Sequence, residues 1–123
     1  MIPDYWIQFL DENNLRDVMC EIPEKADLSE LDGGSLEIFN EEEIVDEATN
    51  YYPGIGVVND GYVPVASCSH GTGDPYFINV NDGKAGKLYR VYHDAVFDGE
   101  YNEEEAINVV LNSYEDLLNY KST

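Results

Sequence analysis

Residues 62–91 decide the fold, and they read YVPVASCSHGTGDPYFINVNDGKAGKLYRV. The stretch holds three short runs that are rich in β-branched and aromatic residues, which is typical of strands. Glycine-containing segments at 71–75 and 81–86 separate the runs, and the Asn-Asp-Gly of the second segment supplies the positive φ angles that hairpin turns need. We therefore predict an antiparallel meander, with Pro64 near an edge or a bulge because proline cannot donate to a strand ladder. The three predicted strands are residues 62–69, 76–80 and 88–93.

Two helices are predicted upstream of the meander. Pro3 suits the first turn of a helix and aromatic residues follow it at helical spacing, which predicts a helix over residues 3–13 with an aromatic inner face. Asn40 opens the second helix, with Glu43 three residues later as its capping-box partner. We expect this helix to continue to about residue 50, where Tyr-Tyr-Pro-Gly follows and ends it.

Three short strands are also predicted outside the central stretch. Residues 35–39 alternate apolar and polar side chains, which is typical of a strand with one buried face. Residues 55–59 form another β-branched run, and Asp60-Gly61 after it reads as a hairpin turn. A further short strand is expected within residues 16–21, in a segment that otherwise has the composition of a loop.

The C-terminal segment has the clearest periodicity. Asn102 and Glu105 resemble a capping box, and the carboxylates that begin at Glu103 suit a helix N-terminus. Apolar residues then recur at helical spacing, which predicts an amphipathic C-terminal helix docked on the sheet. Helices before and after a run of hairpins indicate a single α+β domain over residues 1–123, with a central, mostly antiparallel twisted sheet flanked by helices. The apolar stripe is Ile107, Val110, Leu111, Tyr114, Leu117 and Leu118.

The net charge of the chain narrows the choice of partners. Its 123 residues include 26 Asp and Glu against 6 Lys and Arg, which gives a net charge of −20. A protein that binds nucleic acid or an anionic membrane directly needs a basic surface. The acidic composition therefore excludes both as direct partners. No apolar run approaches the roughly 18 residues of a membrane span. The remaining choices are a basic protein partner, a cation, or charge that serves solubility alone.

The sequence offers little support for a catalytic or metal-binding site. Two cysteines make neither a disulfide framework nor a four-ligand zinc set, and the first residues lack the features of a signal peptide, so we expect a cytoplasmic protein with reduced thiols. A triad of Cys68, His70 and Asp74 would come from one loop, whereas triads usually converge from distant segments. A zinc site made of Cys20, Cys68, His70 and His93 has no support from the spacing of these residues. We expect no catalytic residues, no metal and no cofactor.

The candidate partner-binding residues are acids and tyrosines. The carboxylates of Glu41 to Glu43 stabilise a helix start, and they are also suited to an acidic face that meets a basic partner. Tyrosines that border turns are candidate anchors, because tyrosine is over-represented among binding hot spots. The candidates are Glu41, Glu42, Glu43, Tyr51, Tyr52, Asp60, Tyr62 and Asp74.

Five segments in a fixed order carry a resemblance to known proteins. They are IPDYWIQFL (2–10), GGSLEIFNEEEI (33–44), GIGVVNDGYVPVASCSHGTGDPYFINV (54–80), LYRVYHDAV (88–96) and YEDLLNY (114–120). This order resembles the SUKH superfamily, which includes a yeast cell-wall-synthesis regulator and many bacterial immunity proteins that neutralise polymorphic toxins. The most specific part looks like the GDPYFID-type strand of that family, followed by a strand that ends in His-Asp.

The resemblance implies an α+β domain that acts by binding and carries no shared catalytic set. In it, Gly71, Gly73, Asp74, His93 and Asp94 are motif residues that determine the fold. The implied function is that of a cytoplasmic immunity protein, which we expect to be a monomer, bound to a toxin domain. A nuclease is the expected target, because nuclease domains tend to be basic in order to hold phosphate backbones. A housekeeping interaction module of the cell-wall-regulator type is the alternative.

Overall fold

Six antiparallel strands lie side by side in sequence order at the centre of the computed structural model, which describes residues 1–29, 34–69, 74–96 and 100–122. Each strand pairs with the next one along the chain, so the predicted antiparallel sheet is confirmed. Together with the helices around it, the sheet makes an α+β fold. The strands are β1 (Met19–Ile22), β2 (Gly34–Ile38), β3 (Tyr62–Cys68), β4 (Tyr76–Asn79), β5 (Leu88–Val91) and β6 (Ile107–Leu111).

Two of the helices lie where the sequence predicts them. One ends at Asn14, which adopts a left-handed conformation with φ of 52° and donates its N–H to the carbonyl of Leu10. The other begins with a complete capping box between Asn40 and Glu43. No helix in the described part of the chain combines the length and the apolar character needed to cross a bilayer. The helices are α1 (Asp4–Asn13), α2 (Glu41–Asn50), α3 (Gly54–Val57) and α4 (Glu103–Ala106).

The larger hydrophobic cluster joins α1 to the sheet and to the C-terminal segment. Trp6 and Tyr114 are both almost fully buried, and their rings meet edge to face with centroids 5.1 Å apart. Phe9 makes a similar contact with Tyr114 at 5.0 Å. Edge-to-face contacts of this kind add to the stabilisation from burial alone. The aromatic inner face predicted for the first helix is therefore confirmed.

A smaller hydrophobic cluster lies under α3 and α4 and supports the candidate functional site. Its members come from both short helices, from the four strands β3 to β6 and from the loop at Val96. Tyr89, Ala95 and Tyr101 are partly buried against it. The buried members are Val57, Tyr62, Phe77, Val91, Val96, Ala106 and Ile107.

Backbone hydrogen bonds cover part of both outer strands of the sheet. On the β6 side, Leu28 donates its N–H to the carbonyl of Val110 at 2.9 Å. On the β1 side, Glu21 donates to the carbonyl of Tyr120, and Ser122 donates to that of Met19, both at 2.9 Å. Unpaired strand edges invite pairing with other chains, so these contacts protect the sheet edges at the points where they form.

The predicted C-terminal helix is wrong. Helix α4 has four residues and gives way at Ile107 to strand β6, and a 3₁₀ segment then covers Tyr114–Asn119. The β-branched residues of β6 favour extended backbone, and the free edge of β5 offers hydrogen-bond partners. The carbonyl of Ala106, for example, accepts from the N–H of Tyr92 at 2.8 Å. The apolar stripe is nevertheless buried as expected, apart from Leu118, which is only partly buried.

The predicted strand over 55–59 is also wrong. The chain forms α3 there and then a 3₁₀ segment over Val58–Asp60. Strand β3 already has β2 and β4 on its two sides, so residues 55–59 have no edge on which to pair. Gly54 instead brings the chain onto α2, where an added Cβ would lie 2.2 Å from the carbonyl oxygen of Glu47. Gly61, with φ of 95°, leads from the 3₁₀ segment into β3 and does not form a hairpin turn.

The other local predictions agree more closely with the structure. The pairing of β3 with β4 shifts register between Pro64 and Ala66, which confirms the bulge expected at the proline. The strand expected within 16–21 begins only at Met19, because Asp17 has a positive φ of 62° that interrupts extended backbone. The predicted turn within 71–75 lies mostly outside the described residues.

Candidate functional site: a tyrosine–carboxylate surface

Three tyrosines of the described chain each donate a hydrogen bond to a different surface carboxylate. The hydroxyl of Tyr62 lies 2.5 Å from Oε1 of Glu103, and the hydroxyl of Tyr89 lies 2.7 Å from Oδ2 of Asp82. The hydroxyl of Tyr101 donates to Oδ2 of Asp60. We call these six residues the tyrosine–carboxylate surface: Asp60, Tyr62, Asp82, Tyr89, Tyr101 and Glu103.

Separate elements bring this surface together. Asp60 ends the 3₁₀ segment that comes after α3, and Tyr62 begins β3 two residues later. Tyr89 lies in β5, and its ring meets that of Tyr62 edge to face with centroids 5.3 Å apart. Glu103 is the first residue of α4, and the helix start brings its carboxylate to the hydroxyl of Tyr62. Tyr62 is itself a buried member of the smaller hydrophobic cluster, and the rings of Tyr89 and Tyr101 pack against that cluster.

The tyrosines of this surface remain protonated donors. Burial raises the pKa of Tyr62, and its hydrogen bond to Glu103 raises it further. Burial and the bond to Asp82 do the same for the pKa of Tyr89. Deprotonation would bury a phenolate beside a carboxylate, which is unfavourable on both counts. Each phenol therefore remains a hydrogen-bond donor to its carboxylate at physiological pH.

The carboxylates of this surface have no cationic partner in the described part of the chain. The ion pairs found there involve Arg16, Arg90 and His93, and none of these contacts Asp60, Asp82 or Glu103. Arg90 is buried in the interior, where it pairs with Asp27 at 3.1 Å and is unable to reach a partner. The surface therefore presents negative charge together with partly exposed aromatic rings.

The predicted acidic triplet at the start of α2 is partly committed to its own fold. Arg16 donates to both oxygens of Glu41, at 2.6 and 2.8 Å, and this contact lowers the pKa of the Glu41 carboxyl. Glu43 accepts from the backbone N–H of Asn40 in the capping box. Glu42 is exposed. Only one of the three carboxylates is thus left without a structural contact in the described chain.

A group of three carboxylates lies beside the capping box. Oxygens of Asp17, Glu37 and Glu43 all come within 4.8 Å of one another. Desolvation raises the pKa of the Glu43 carboxyl, and the neighbouring Asp17 raises it further. Carboxylate oxygens are suitable ligands for a hard cation, but grouped acids are also common on protein surfaces without an ion, so the grouping does not assign a metal.

Two of the predicted anchors lie at the C-terminal end of α2. Tyr51 and Tyr52 are about half exposed, and neither belongs to the tyrosine–carboxylate surface. The outer side of the same helix also exposes Val45, beside a shallow hollow of about 730 Å³. These residues form a second exposed area, separate in its contacts from the three tyrosine–carboxylate pairs.

Asp74 and His93 are brought together at the ends of β4 and β5. Oδ1 of Asp74 accepts from the backbone N–H of His93 at 2.9 Å and lies 2.7 Å from its ring Nδ1. Asp94 is exposed beside them. The contact ties the start of one strand to the end of its neighbour, as a fold determinant would. Gly71 and Gly73, the other predicted motif residues, lie outside the described residues.

The residues weighed for catalysis or zinc binding are not gathered into a site by the described structure. Cys20 is fully buried and burial raises the pKa of its thiol, which disfavours the reactive thiolate. Cys68 is partly buried in β3. His70, which both hypotheses require, lies outside the described residues.

Sequence reasoning finds only part of the tyrosine–carboxylate surface. Asp60 and Tyr62 are predicted partner-binding residues; Asp60 is exposed, whereas Tyr62 is only 4% exposed and supports Glu103 from beneath the surface. The sequence marks Tyr89 as a sheet residue and Glu103 as part of a helix start. Both roles are correct, but neither implies the hydrogen bond that each of these residues makes. No family model, curated protein or solved structure matches the chain, so the SUKH resemblance stays a prediction.

Proposed function

We propose that this chain is a non-enzymatic binding protein whose tyrosine–carboxylate surface docks onto a basic protein domain. The observation that carries the proposal is the set of three carboxylates, each held by a tyrosine and none paired with a cation among the described residues. Carboxylates that are already oriented lose little freedom when a partner binds, which lowers the cost of association.

The charge of the whole chain supports the same proposal. A net charge of −20 creates a field that steers a basic partner toward the protein and raises the association rate. The partly exposed rings of Tyr89 and Tyr101 supply apolar contact area that charge alone lacks, and tyrosine is frequent among residues that dominate binding energy. Steering thus comes from the charge of the whole chain, and anchoring comes from the tyrosine–carboxylate surface.

The partner that we propose is a toxin domain, and the protein is then its cytoplasmic immunity protein. This part rests on the resemblance to the SUKH superfamily, whose members include toxin-neutralising proteins. A nuclease domain fits the charge best, because a groove that holds nucleic acid is basic and an acidic protein competes for it. The protein would act by covering that groove or by gripping a neighbouring surface.

The test compares two triple charge reversals with the same change in net charge. Asp60, Asp82 and Glu103 are changed to Lys in one variant, and Glu41, Glu42 and Glu43 in the other. Binding is measured by stopped flow against the protein encoded by the adjacent gene. We expect the first variant to associate at least about 10-fold more slowly and the second to lose less. Thermal melts identify any variant that fails to fold.

Three results would contradict the proposal. One is an association rate that does not change between low and high salt, which removes electrostatic steering. Another is an equal loss in the two variants, which shows that net charge and not this surface matters. The third is the absence of any binding to a basic domain.

A further inference from the structure

We infer that the tyrosine–carboxylate surface binds arginine side chains of its partner in preference to lysine side chains. The inference rests on the proposed function, because it specifies the chemistry of the partner at that same surface. Three features carry it: the fixed orientation of each carboxylate, the acceptor positions that remain on it, and the aromatic rings beside it.

The orientation of the carboxylates comes from the phenols. Glu103 is held by Tyr62 and Asp82 by Tyr89, and the two rings also brace each other edge to face. An exposed carboxylate usually rotates freely, and a partner must then stop that rotation. Here the protein has stopped it before binding, so a partner with directional donors gains more than one with a diffuse charge.

The remaining acceptor positions match the fork of a guanidinium group. An ionised carboxylate has about four lone-pair positions, and one phenol occupies one of them. Both oxygens therefore stay available for the two parallel N–H donors of arginine. The ammonium group of lysine is a strongly hydrated point charge that gains nothing from a fixed pair of acceptors.

The aromatic rings of the surface are a second reason to expect arginine. Tyr89 and Tyr101 are only partly buried, so each shows part of its ring beside the carboxylate that it holds. A guanidinium plane stacks on an aromatic face while its edge meets a carboxylate, and arginine makes such contacts more often than lysine. An arginine side chain can thus contact a tyrosine ring and the carboxylate beside it at the same time.

The test uses the full chain and two flexible glycine-containing peptides of equal length and equal charge, one carrying arginines and the other lysines. Affinities are measured by calorimetry at low and at physiological salt. We expect the arginine peptide to bind about tenfold more tightly, as additional directional bonds require. Its chemical-shift changes should centre on the tyrosine–carboxylate surface.

Removal of single tyrosine hydroxyls tests whether the oriented carboxylates cause the preference for arginine. Tyr89→Phe and Tyr101→Phe keep the rings and the total charge but release Asp82 and Asp60. Each should bring the arginine-to-lysine affinity ratio closer to one while leaving the lysine affinity nearly unchanged. Glu21→Gln with Glu24→Gln removes two exposed charges near β1 and should weaken both peptides alike, so it serves as the control for net charge.

The outcomes separate this inference from the proposed function. Equal affinity for the two peptides overturns the arginine inference and leaves a basic partner in place. An arginine preference that survives both hydroxyl deletions also overturns it, because the fixed carboxylates are then not its cause. Failure of both peptides to bind at low salt overturns the proposed function itself.

Discussion

Two segments of this chain begin alike and end differently. Residues 40–45 read NEEEIV and residues 102–107 read NEEEAI. In both, the leading asparagine side chain accepts from a backbone N–H of the next turn: Asn40 from Glu43 at 2.9 Å, and Asn102 from Glu104 at 3.0 Å. Yet α2 continues for ten residues, whereas α4 stops after four and becomes β6.

The two segments differ in the residues after the cap and in the partners that the fold offers to those residues. After the first triplet, Ile44 and Ala48 recur four residues apart, and both are buried on one side of the helix. After the second triplet, a β-branched run begins at Ile107, and the free edge of β5 lies beside it. A cap therefore sets where a helix starts, while its length depends on the later residues and on available partners.

The largest effect that bears on this comparison is expected at Leu111, at the end of β6. Its side chain is 3% exposed, so Leu111→Ala should lower the free energy of unfolding by about 2–5 kcal/mol in a urea titration. Asn112→Ala, at an exposed neighbouring position, should cost less than about 0.5 kcal/mol. Equal losses would contradict the burial assigned to β6.

A smaller difference is expected between the two caps. Asn40→Ala removes the side-chain oxygen that accepts from the N–H of Glu43 at the start of a ten-residue helix, and should cost about 1 kcal/mol. Asn102→Ala removes one bond from a four-residue helix in contact with water, and should cost less than about 0.5 kcal/mol. Thermal melts of the two variants give the comparison. If the second loss were the larger, the short helix would be as dependent on its cap as the long one.

The smallest effects should have opposite signs. Val45 lies in α2 with its side chain 44% exposed, so Val45→Ala should raise stability by up to about 0.6 kcal/mol through helix propensity. Val109 lies in β6, and Val109→Ala should lower stability by about 0.5–1 kcal/mol, since valine suits a strand and alanine does not. Parallel urea titrations give both values. A gain at both positions would indicate that residues 107–111 are helical.

The well-predicted parts of the fold are those with strong local signals. Helix α2 has a cap, a charged first turn and apolar side chains at one spacing, so all its signals agree. The central strands alternate with turn residues over a short range. Residues 107–111 lack such agreement, because Ile107, Val110 and Leu111 fit a buried helical stripe and a buried strand equally well. There the apolar pattern predicts burial and leaves the backbone conformation open.

The candidate site was less predictable, because its hydrogen bonds join residues that are mostly far apart in the chain. Tyr62 and Glu103 are separated by 41 residues, as are Asp60 and Tyr101. Charge and residue type marked Asp60 and Tyr62 as candidates, but gave no indication of their partners. The spacing of Asp82 and Tyr89, seven residues apart across the β4–β5 connection, offers no motif either.

Local sequence patterns were enough to predict the α+β class, the starts of α1 and α2, the central strands and the burial of most of the C-terminal apolar stripe. Those features depend on bonds and side-chain spacings within a few residues, so the local chain contains the necessary information. Contacts between distant parts of the chain made residues 107–111 a strand and residues 54–57 a helix, and they brought three tyrosines onto three carboxylates. A strand needs a free edge, and a side-chain pair needs a partner, and here distant parts of the chain supply both.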